Sequence, residues 1–305
     1  MSRPTVLQMT PLPQVAVDLL MARFDLLPLA AWQTLGRGSP RARSVTGIAT
    51  TARGAVDAAL MDALPALRII ACYSAGTEGI DCAEAARRGI PVTTTSDLIA
   101  GEVADLGMGM VIALLRRMVE GMAHVHSRAW TSGPMPLGRS LARARLGILG
   151  MGNIGQALAR RAMAFDMAVR WHGPRPKPDL SWPYEADLME LARWSDLLVI
   201  CCPETAQTRG LVSAAILQAL GTEGYLVNIA RGRIVDETAL QAALSAGVIA
   251  GAALDVFADE PHVPAALACN PRVICLPHIG AATVEIRAAM AEHMVARLVE
   301  ALLQR

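Results

Sequence analysis

Three apolar segments in the second half of the chain each end near a polar residue that can take part in chemistry. The segments read NIARG, LDVFADEP and LPHIG, and the residues are Arg231, Glu260 and His278. An arginine can bind a carboxylate through two parallel hydrogen bonds, and a positioned histidine can donate or accept a proton. A glutamate beside that histidine would orient the ring and raise its pKa from the usual value of about 6.5. Together these residue types predict acid–base chemistry on a substrate that carries a carboxylate.

Each of these residues also has a structural explanation when it is considered alone. Arg231 could be solvated or salt-bridged, His278 could be held in a structural hydrogen bond, and the DEP that contains Glu260 could be an ordinary turn. Ligands of open α/β sheets bind at the carboxyl ends of the strands, where all three residues are expected. Their common position therefore favours the functional interpretation.

A glycine-rich loop lies upstream of these residues. The stretch LGILGMGNIG places Gly150, Gly152 and Gly155 in a GxGxxG pattern, after an apolar run and before the helix-like QALARRAMAF. The first glycine permits a tight turn, the second lets the backbone approach a pyrophosphate, and the third lets the helix pack closely on the strand. The helix N-terminus adds amide donors for phosphate. The pattern predicts a dinucleotide site, with a methyltransferase loop or a plain glycine turn as alternatives.

The end of the next strand indicates which dinucleotide is bound. An NAD site normally has Asp or Glu there, on the ribose 2′-hydroxyl. In this chain the strand AVRW runs into HGPRPKP, so that Gly173 takes the place of the acid and Arg175 and Lys177 follow. We expect a pocket for a 2′-phosphate, with NADP preferred and NAD possible. A proline-stiffened solvent loop is the alternative.

The elements that position these residues alternate between β-rich and alanine-rich segments, which predicts parallel sheets with crossover helices. The predicted strands of the first half are TVLQ, SVTGIAT, RIIACY and PVTTT, and those of the second half are RLGILG, AVRW, DLLVIC, GYLVNI, IAGAALDV and RVICLP. We expect an α/β protein with two doubly wound parallel-sheet domains, a Rossmann cofactor domain inserted into a flavodoxin-like substrate domain. The substrate-binding domain would comprise residues 1–99 and 282–305, and the dinucleotide-binding domain residues 100–281. Residues 101–130 are long enough for one bridging helix, in which Met108, Met110 and Met118 would fill the core and Trp130 would pack.

The composition excludes several function classes. The 305 residues carry a formal charge of +1 and no long basic run, so no nucleic-acid partner is expected. The longest apolar run, 106–115, is shorter than the ~20 residues of a membrane span. The N-terminus does not resemble a signal peptide, which favours a cytoplasmic location. The six cysteines lack metal-ligand spacing, so we expect buried free thiols and no metal.

Several segments resemble the signature sequences of the D-2-hydroxyacid dehydrogenase family, and they occur in the family's order over nearly the whole chain. They read YSAGTEGID, GEVADLGMGMVIALLRR, GILGMGNIG, NIARGRIVDETAL, GAALDVFADEP and LPHIGAAT. The basic loop after AVRW makes the chain most similar to the NADPH-using glyoxylate/hydroxypyruvate and hydroxyphenylpyruvate reductases. The resemblance implies an oxidoreductase that transfers a hydride from NADPH to a small 2-oxo acid and gives a D-2-hydroxy acid.

The resemblance also implies a role for each site residue. Arg231 would bind the substrate carboxylate and polarise the carbonyl, and His278, held by Glu260, would donate the proton. The backbone of Ala75, Gly76 and Thr77 would bind the carboxylate from the other domain. Asp255 would face the carboxamide side of the nicotinamide, and Thr208 would lie along the cofactor. Further cofactor contacts are implied for Asn153, Ile154, Cys202, Pro203, Ile229, Ala230, His278 and Gly280.

Three alternatives stay open at this point. A dinucleotide-sensing scaffold would share the fold, but the corepressor relatives of that kind carry extra tails, whereas this sequence ends at LLQR. A formate dehydrogenase would pair the histidine with glutamine, which Glu260 disfavours. An NADH-preferring dehydrogenase of the same family is the third. By analogy with the family we expect a homodimer formed through the long helix of the cofactor domain; the sequence does not indicate which 2-oxo acid is reduced.

Overall fold

The chain forms two compact units, each with its own parallel sheet. The computed structural model describes residues 3–34 and 39–304. One unit consists of Met1–Ile99 with Ala282–Arg305, and the other of Ala100–Ala281.

The first unit contains a five-stranded parallel sheet. Its strands are β1 (Thr5–Gln8), β2 (Asp25–Pro28), β3 (Val45–Thr50), β4 (Ile69–Cys72) and β5 (Val92–Thr93). Their order is β2-β1-β3-β4-β5, which is the flavodoxin-like order. The expected flavodoxin-like class is confirmed, although β2 was not among the predicted strands. β2 has only one buried residue, Leu27, and so lacks the run of buried residues that marks β1, β3 and β4.

Helices cover this sheet, and the C-terminal helix belongs to them. They are α1 (Gln14–Arg23), α2 (Leu29–Thr34), α3 (Pro40–Arg43), α4 (Ala58–Ala63), α5 (Cys82–Arg87) and, at the end of the chain, α13 (Val284–Leu303). The hydroxyl of Tyr73 donates to the carbonyl of Arg287 at 2.9 Å, and Leu298 of α13 is fully buried. The C-terminal helix thus completes the core of the first unit.

The second unit contains a six-stranded parallel sheet. Its strands are β6 (Arg145–Leu149), β7 (Ala168–His172), β8 (Leu197–Ile200), β9 (Tyr225–Asn228), β10 (Gly251–Leu254) and β11 (Val273–Cys275), in the order β11-β10-β9-β8-β6-β7. Tyr184 forms a single parallel bridge with Trp171 at the outer edge of β7. With Tyr184 in the place of a third strand, the order is that of a Rossmann sheet, which confirms the predicted class. All four residues of β8 are fully buried, as expected for a strand covered on both faces.

Seven helices belong to the second unit. They are α6 (Ala100–Leu115), α7 (Met118–His126), α8 (Asn153–Ala164), α9 (Leu188–Trp194), α10 (Ala214–Leu220), α11 (Glu237–Ser245) and α12 (Ala265–Ala268). Short 3₁₀ turns follow α7 at Ala129–Ser132 and β9 at Gly232–Ile234.

The predicted single helix over 101–130 is wrong. α6 ends at Leu115, and α7 begins after Arg117, whose φ of 52° is left-handed. The cause is a contact with a distant part of the chain, because the amide of Arg139 donates to the carbonyl of Leu115 at 2.7 Å. That carbonyl is therefore taken by a residue outside the helix, and the chain turns before α7 begins.

Two expectations for side chains in this region are also wrong. Met108 and Met110 are buried as predicted, but Met118 is 51% exposed and Trp130 is 69% exposed. Both residues follow the break after α6, so neither reaches the core that a continuous helix would have faced.

Three expectations concern cysteines, metals and membranes. All six cysteines are free, but only Cys72 is buried, while Cys82 and Cys269 are exposed; the expectation of six buried thiols is therefore wrong. Within residues 3–34 and 39–304, no three His, Cys, Asp or Glu side chains are grouped so that they could hold a metal ion. Over the same residues, no helix has the length and apolar character that crossing a membrane requires.

Candidate active site

The loops at the carboxyl ends of β6 to β11 carry most of the predicted site residues. In a Rossmann sheet these loops border the crevice in which the ligand binds, and the strand order reverses between β6 and β8. The loop after β6 holds the glycines, the loop after β9 holds Arg231, and the loops after β10 and β11 hold Glu260 and His278.

The glycine loop has the geometry that its sequence requires. Gly150 has a φ of 100°, and a Cβ there would lie 2.5 Å from the amide nitrogen of Cys202. A Cβ on Gly155 would lie 2.1 Å from the carbonyl oxygen of Gly150, so the start of α8 can approach β6 only without a side chain. Gly152 faces open space, and no side chain caps the helix that begins at Asn153. The first amides of α8 are thus presented to the crevice, where they can bind a phosphate.

The loop after β7 begins at Gly173, which is buried, and continues through exposed residues. Arg175 is exposed, whereas the ammonium of Lys177 donates to the carbonyl of Met151 at 2.8 Å. Met151 lies between the first two glycines of the GxGxxG pattern, so the basic loop reaches the glycine loop. The structure therefore brings Lys177 and the glycine loop together, as a shared cofactor site requires.

Cys202, Pro203 and Thr208 lie in the loop after β8, beside the glycine loop. The hydroxyl of Thr208 donates to the carbonyl of Pro203 at 2.8 Å and accepts from the amide of Thr205 at 2.7 Å. Thr208 therefore holds this loop together through its own side chain. Burial raises the pKa of the Cys202 thiol to about 11 and also raises that of Cys201, so both thiols stay protonated at neutral pH.

The turn that carries Arg231 is built on a buried asparagine that the sequence did not single out. Asn228 ends β9 and is 1% exposed. Its side-chain Nδ2 donates to the backbone carbonyl of Arg231 at 2.9 Å, and its side-chain Oδ1 accepts from the backbone amide of Ala230 at 3.0 Å. Ile229 and Ala230 are buried, and the Arg231 guanidinium, which is half-buried, also donates to the carbonyl of Ala230 at 2.7 Å. The backbone of the turn at Arg231 is thus held by the side chains of both Asn228 and Arg231.

Gly232 explains why a glycine follows this arginine. A Cβ at that position would lie 1.9 Å from the carbonyl carbon of Phe257. The loop after β9 and the loop after β10 therefore touch at their backbones. Arg231 lies on one of these loops and Glu260 on the other, so the two residues are held in a fixed relation.

His278 and Glu260 form a direct pair. Nδ1 of His278 lies 2.8 Å from Oε2 of Glu260, and Oε1 of the same carboxylate accepts from the amide of Phe257 at 3.2 Å. The imidazole is 45% exposed, whereas the carboxylate is 18% exposed. The glutamate is thus anchored to its own loop while it orients a ring that is open to a ligand.

The backbone at His278 is left-handed, and Asp255 holds the turn. His278 has a φ of 56°, a conformation that costs free energy for a residue other than glycine. The two carboxylate oxygens of Asp255 accept from the amides of Ile279 and Gly280, both at 2.8 Å. Burial raises the pKa of Asp255, while these two amides and His278 act in the opposite direction. The structure therefore gives Asp255 a positioning role that the sequence alone did not reveal; its predicted contact with the nicotinamide stays a prediction.

A second pair of side chains holds the loop of Glu260. Arg233 donates to the carbonyl of Ala258 at 3.0 Å, and Glu237 accepts from the amide of the same residue at 3.2 Å. The peptide groups of Ala258 are thus bound on both sides, and neither residue was among the predicted site residues. The only signal in the sequence was their place within the segment NIARGRIVDETAL, directly after Arg231.

Ala75, Gly76 and Thr77 lie in the first unit, in the loop at the carboxyl end of β4. All three are half-buried, and the thiol of Cys72 donates to the carbonyl of Gly76 at 3.4 Å. The carboxyl end of a strand is where ligands of a doubly wound sheet bind. The position is thus the one that a substrate loop of this unit would have.

Comparisons with known proteins agree with this geometry. The family model described as "D-isomer specific 2-hydroxyacid dehydrogenase, NAD binding domain" matches residues 108–280. A glyoxylate/hydroxypyruvate reductase A of Arabidopsis thaliana is 40% identical over 96% of this chain and 94% of its own length. A 2-ketogluconate reductase of Gluconobacter oxydans is 39% identical, over 98% and 95% respectively.

A solved structure shows the same likeness in three dimensions. It is an NADPH-dependent glyoxylate/hydroxypyruvate reductase of Sinorhizobium meliloti in complex with NADP and malonate. It matches with a TM-score of 0.90 and 38% identity, over 98% of this chain and 93% of that chain. The resemblance found in the sequence is confirmed, and the protein is an enzyme with an NAD-binding domain. The chain belongs to the D-isomer specific 2-hydroxyacid dehydrogenase family.

Proposed function

We propose that the enzyme reduces a small 2-oxo acid of the glyoxylate or hydroxypyruvate class to the D-2-hydroxy acid, with NADPH as the hydride donor. The observation that carries the proposal is the pair of His278 and Glu260, 2.8 Å apart, in the unit that contains the glycine loop. A carboxylate-held imidazole is a suitable proton donor for a carbonyl reduction. The names of the relatives from Arabidopsis thaliana and Sinorhizobium meliloti support the same substrate class.

The residues divide the reaction between them. Arg231 binds the carboxylate of the 2-oxo acid through its guanidinium and draws electron density from the neighbouring carbonyl. Glu260 holds the Nδ1 side of the His278 ring, so Nε2 is the nitrogen that gives its proton to the carbonyl oxygen. The bound nicotinamide supplies the hydride to the carbonyl carbon. One hydride and one proton convert the ketone to an alcohol, and His278 is left neutral.

The cofactor fits the residues of the second unit. The uncapped start of α8 and the open space at Gly152 suit a pyrophosphate. Gly173 stands where an acid would repel a 2′-phosphate, and Arg175 and Lys177 supply positive charge on the loop that follows. This set favours NADPH over NADH.

Kinetics with both cofactors test the choice of NADPH. We expect kcat/KM to be about tenfold or more higher with NADPH, the scale of one charge-assisted hydrogen bond. Arg175→Ala should remove most of that preference, and Arg193→Ala, which changes an exposed arginine of α9, should leave it unchanged. Equal values with the two cofactors would contradict the proposal, and a preference for NADH would favour the NADH-preferring alternative.

A panel of 2-oxo acids tests the substrate class. The rate of reduction is measured by the loss of NADPH absorbance for each of four acids: glyoxylate, hydroxypyruvate, 4-hydroxyphenylpyruvate and 2-ketogluconate. We expect the highest kcat/KM for glyoxylate or hydroxypyruvate. An aldehyde without a carboxylate should not be reduced, since the Arg231 guanidinium would have no anion to bind. Turnover of the aldehyde at a comparable rate would refute the role of the carboxylate.

We assign the first unit to substrate binding and the second to cofactor binding. The assignment of the second unit rests on the glycine loop. The assignment of the first rests on the resemblance and on the place of Ala75, Gly76 and Thr77 at the carboxyl end of β4. Gly76→Val should raise KM for the 2-oxo acid and leave KM for NADPH unchanged. A higher KM for NADPH alone would contradict it.

We further propose that the enzyme is a homodimer whose contact surface includes α7. Met118, Val119, Met122 and Val125 of this helix are 47–60% exposed, and Leu137 downstream is 93% exposed. Such a group of exposed apolar side chains marks an interaction surface, and an isologous contact with a second copy would cover it on both subunits. A cytoplasmic location stays a prediction from the sequence.

Light scattering coupled to size exclusion tests the dimer. The wild-type protein should have twice the mass of the chain, and Met122→Glu with Val125→Glu should have the mass of one. Met21→Glu is the control, because Met21 is 56% exposed on α1 of the other unit. A monomeric wild type would refute the dimer, and a dimeric double variant would exclude α7 from the contact.

A further inference from the structure

We propose that Tyr184 is a positioning residue for cofactor discrimination, through its hydrogen bond to the base of the basic loop. This inference rests on the NADPH preference proposed above. Tyr184 lies outside the predicted cofactor residues, and none of the segments that carry the family resemblance contains it. Its hydroxyl donates to the carbonyl of Gly173 at 3.0 Å.

The ring of Tyr184 is held firmly enough to act as an anchor. It packs on the buried ring of Trp171 with centroids 4.8 Å apart, and it lies nearly parallel to the ring of His172 at 6.4 Å. The backbone on either side of Tyr184 binds β7, because the amide of Trp171 donates to Pro183 and the amide of Glu185 donates to Trp171. The indole of Trp171 also donates to the carbonyl of Trp182 at 3.0 Å. The hydroxyl of Tyr184 is therefore fixed relative to the end of the strand.

Gly173 is the point at which the basic loop needs such an anchor. Glycine has the widest choice of backbone conformations, so a loop that starts with it can swing. The next residues are stiffer, since Pro174, Pro176 and Pro178 each fix φ. The far side of the loop is bound where Lys177 donates to Met151. The hydrogen bond to the Gly173 carbonyl therefore restricts the backbone at the start of the loop.

The consequence concerns the 2′-phosphate alone. A loop held at both ends presents Arg175 within a small range of positions, so less entropy is lost when the arginine binds a phosphate. NADH has no phosphate at this position and gains nothing from the arrangement. Loss of the Tyr184 hydroxyl should therefore weaken the binding of NADPH and leave the binding of NADH unchanged.

Tyr184→Phe tests this inference, because it keeps the ring on Trp171 and removes only the hydroxyl. We expect the ratio of kcat/KM for NADPH to that for NADH to fall about three- to tenfold, the worth of one hydrogen bond. The Kd of adenosine 2′,5′-bisphosphate should rise by the same factor, while the Kd of 5′-AMP stays constant. Tyr225→Phe is the matched control, since the Tyr225 hydroxyl makes no hydrogen bond within the described residues.

The outcomes separate this inference from the proposal beneath it. An equal loss with both cofactors would show that Tyr184 only supports the fold, and an unchanged ratio would show that its hydroxyl has no influence; either result overturns the inference while the wild-type preference stands. A wild-type enzyme without NADPH preference would refute the cofactor proposal itself, and this inference with it. Thermal unfolding within a few degrees of the wild type confirms that the variant is folded.

Discussion

The imidazole of His278 and the carboxylate of Glu260 are joined at 2.8 Å, although they are 18 positions apart in the chain. The carboxylate is the less exposed of the two, and its other oxygen is bound to the amide of Phe257. Glu260 is therefore the more firmly held group, and His278 is the one whose side chain is open to solvent. The effects of substitutions at the site follow from this division.

Replacement of His278 by alanine should slow the chemical step. We expect kcat to fall about 10²–10⁴-fold, the usual contribution of a positioned acid, with the Kd of NADPH within about twofold of the wild type. Steady-state kinetics and a fluorescence titration of NADPH measure the two effects. His293→Ala on α13 is the control. A variant that keeps its kcat and loses cofactor affinity would contradict the role of proton donor.

Replacement of Arg231 by lysine should reduce kcat/KM for the 2-oxo acid by at least about tenfold, because a point charge cannot reproduce the planar fork of two donors. The Kd of NADPH should not change. Arg193→Lys provides the same chemical change on the exposed face of α9. An Arg231→Lys enzyme that retains more than half of the wild-type kcat/KM would remove the arginine from the substrate site.

Replacement of Asp255 by asparagine should disturb the turn of His278. Asparagine keeps one acceptor oxygen, but its side-chain NH2 group is a donor. One of the two backbone amides, that of Ile279 or that of Gly280, therefore loses its acceptor. Loss of that bond at a buried position costs about 1–3 kcal/mol, so both kcat and Tm should fall. Asp236→Asn is the control, since asparagine caps a helix as well as aspartate does. Unchanged activity would show that the turn does not depend on Asp255.

Asp196 allows a prediction about acid stability at the other end of the sheet. Burial acts to raise its pKa, but hydrogen bonds from Arg145 and Arg139 outweigh burial and hold the pKa below its usual value. A lowered pKa in the folded state means that the stabilisation is present above the unfolded pKa of about 4 and is lost as the pH falls through the folded value. Asp196→Asn should lower Tm on the order of 5 °C at neutral pH.

The difference in Tm between wild type and Asp196→Asn should narrow as the pH falls below about 4, and it should vanish below the lowered pKa of the folded state, where the carboxylate is protonated in the folded wild type as well. Differential scanning calorimetry from neutral to acid pH measures it. Glu292→Gln on α13 removes an exposed carboxylate and should change Tm little at any pH. A difference that stays constant with pH would show that the ion pairs do not stabilise the fold.

The sequence predicts the central strands well because they are buried on both faces. Apolar residues dominate the predicted strands DLLVIC and GYLVNI, in which only Asp196 and Asn228 are polar, and these strands correspond to β8 and β9. β2 escapes prediction because its four residues include an exposed aspartate and a proline. The end of α6 at Leu115 escapes it for another reason, since the residue that binds the Leu115 carbonyl is Arg139, 24 positions away.

The candidate site shows the same division between local and distant causes. The pattern of glycines and the polar residues at strand ends are local features of the sequence, so the sequence alone singles out Gly150, Arg231 and His278 as candidates. The supporting bonds cannot be read in this way. Asp255 binds amides 24 and 25 residues further along, and Tyr184 binds a carbonyl 11 residues back. Only folding brings these partners together.

The outer edge of β7 bears on how the protein avoids aggregation. An uncovered strand edge offers a row of amides and carbonyls with which a strand of another molecule can pair. Here the segment around Tyr184 covers that edge at one bridge. Four prolines, at positions 174, 176, 178 and 183, interrupt the chain between Gly173 and Tyr184. Proline has no amide hydrogen, so this stretch cannot extend the sheet or serve as a template for a foreign strand. The prolines that stiffen the loop after β7 thus also reduce the tendency of this sheet edge to pair with strands of other molecules.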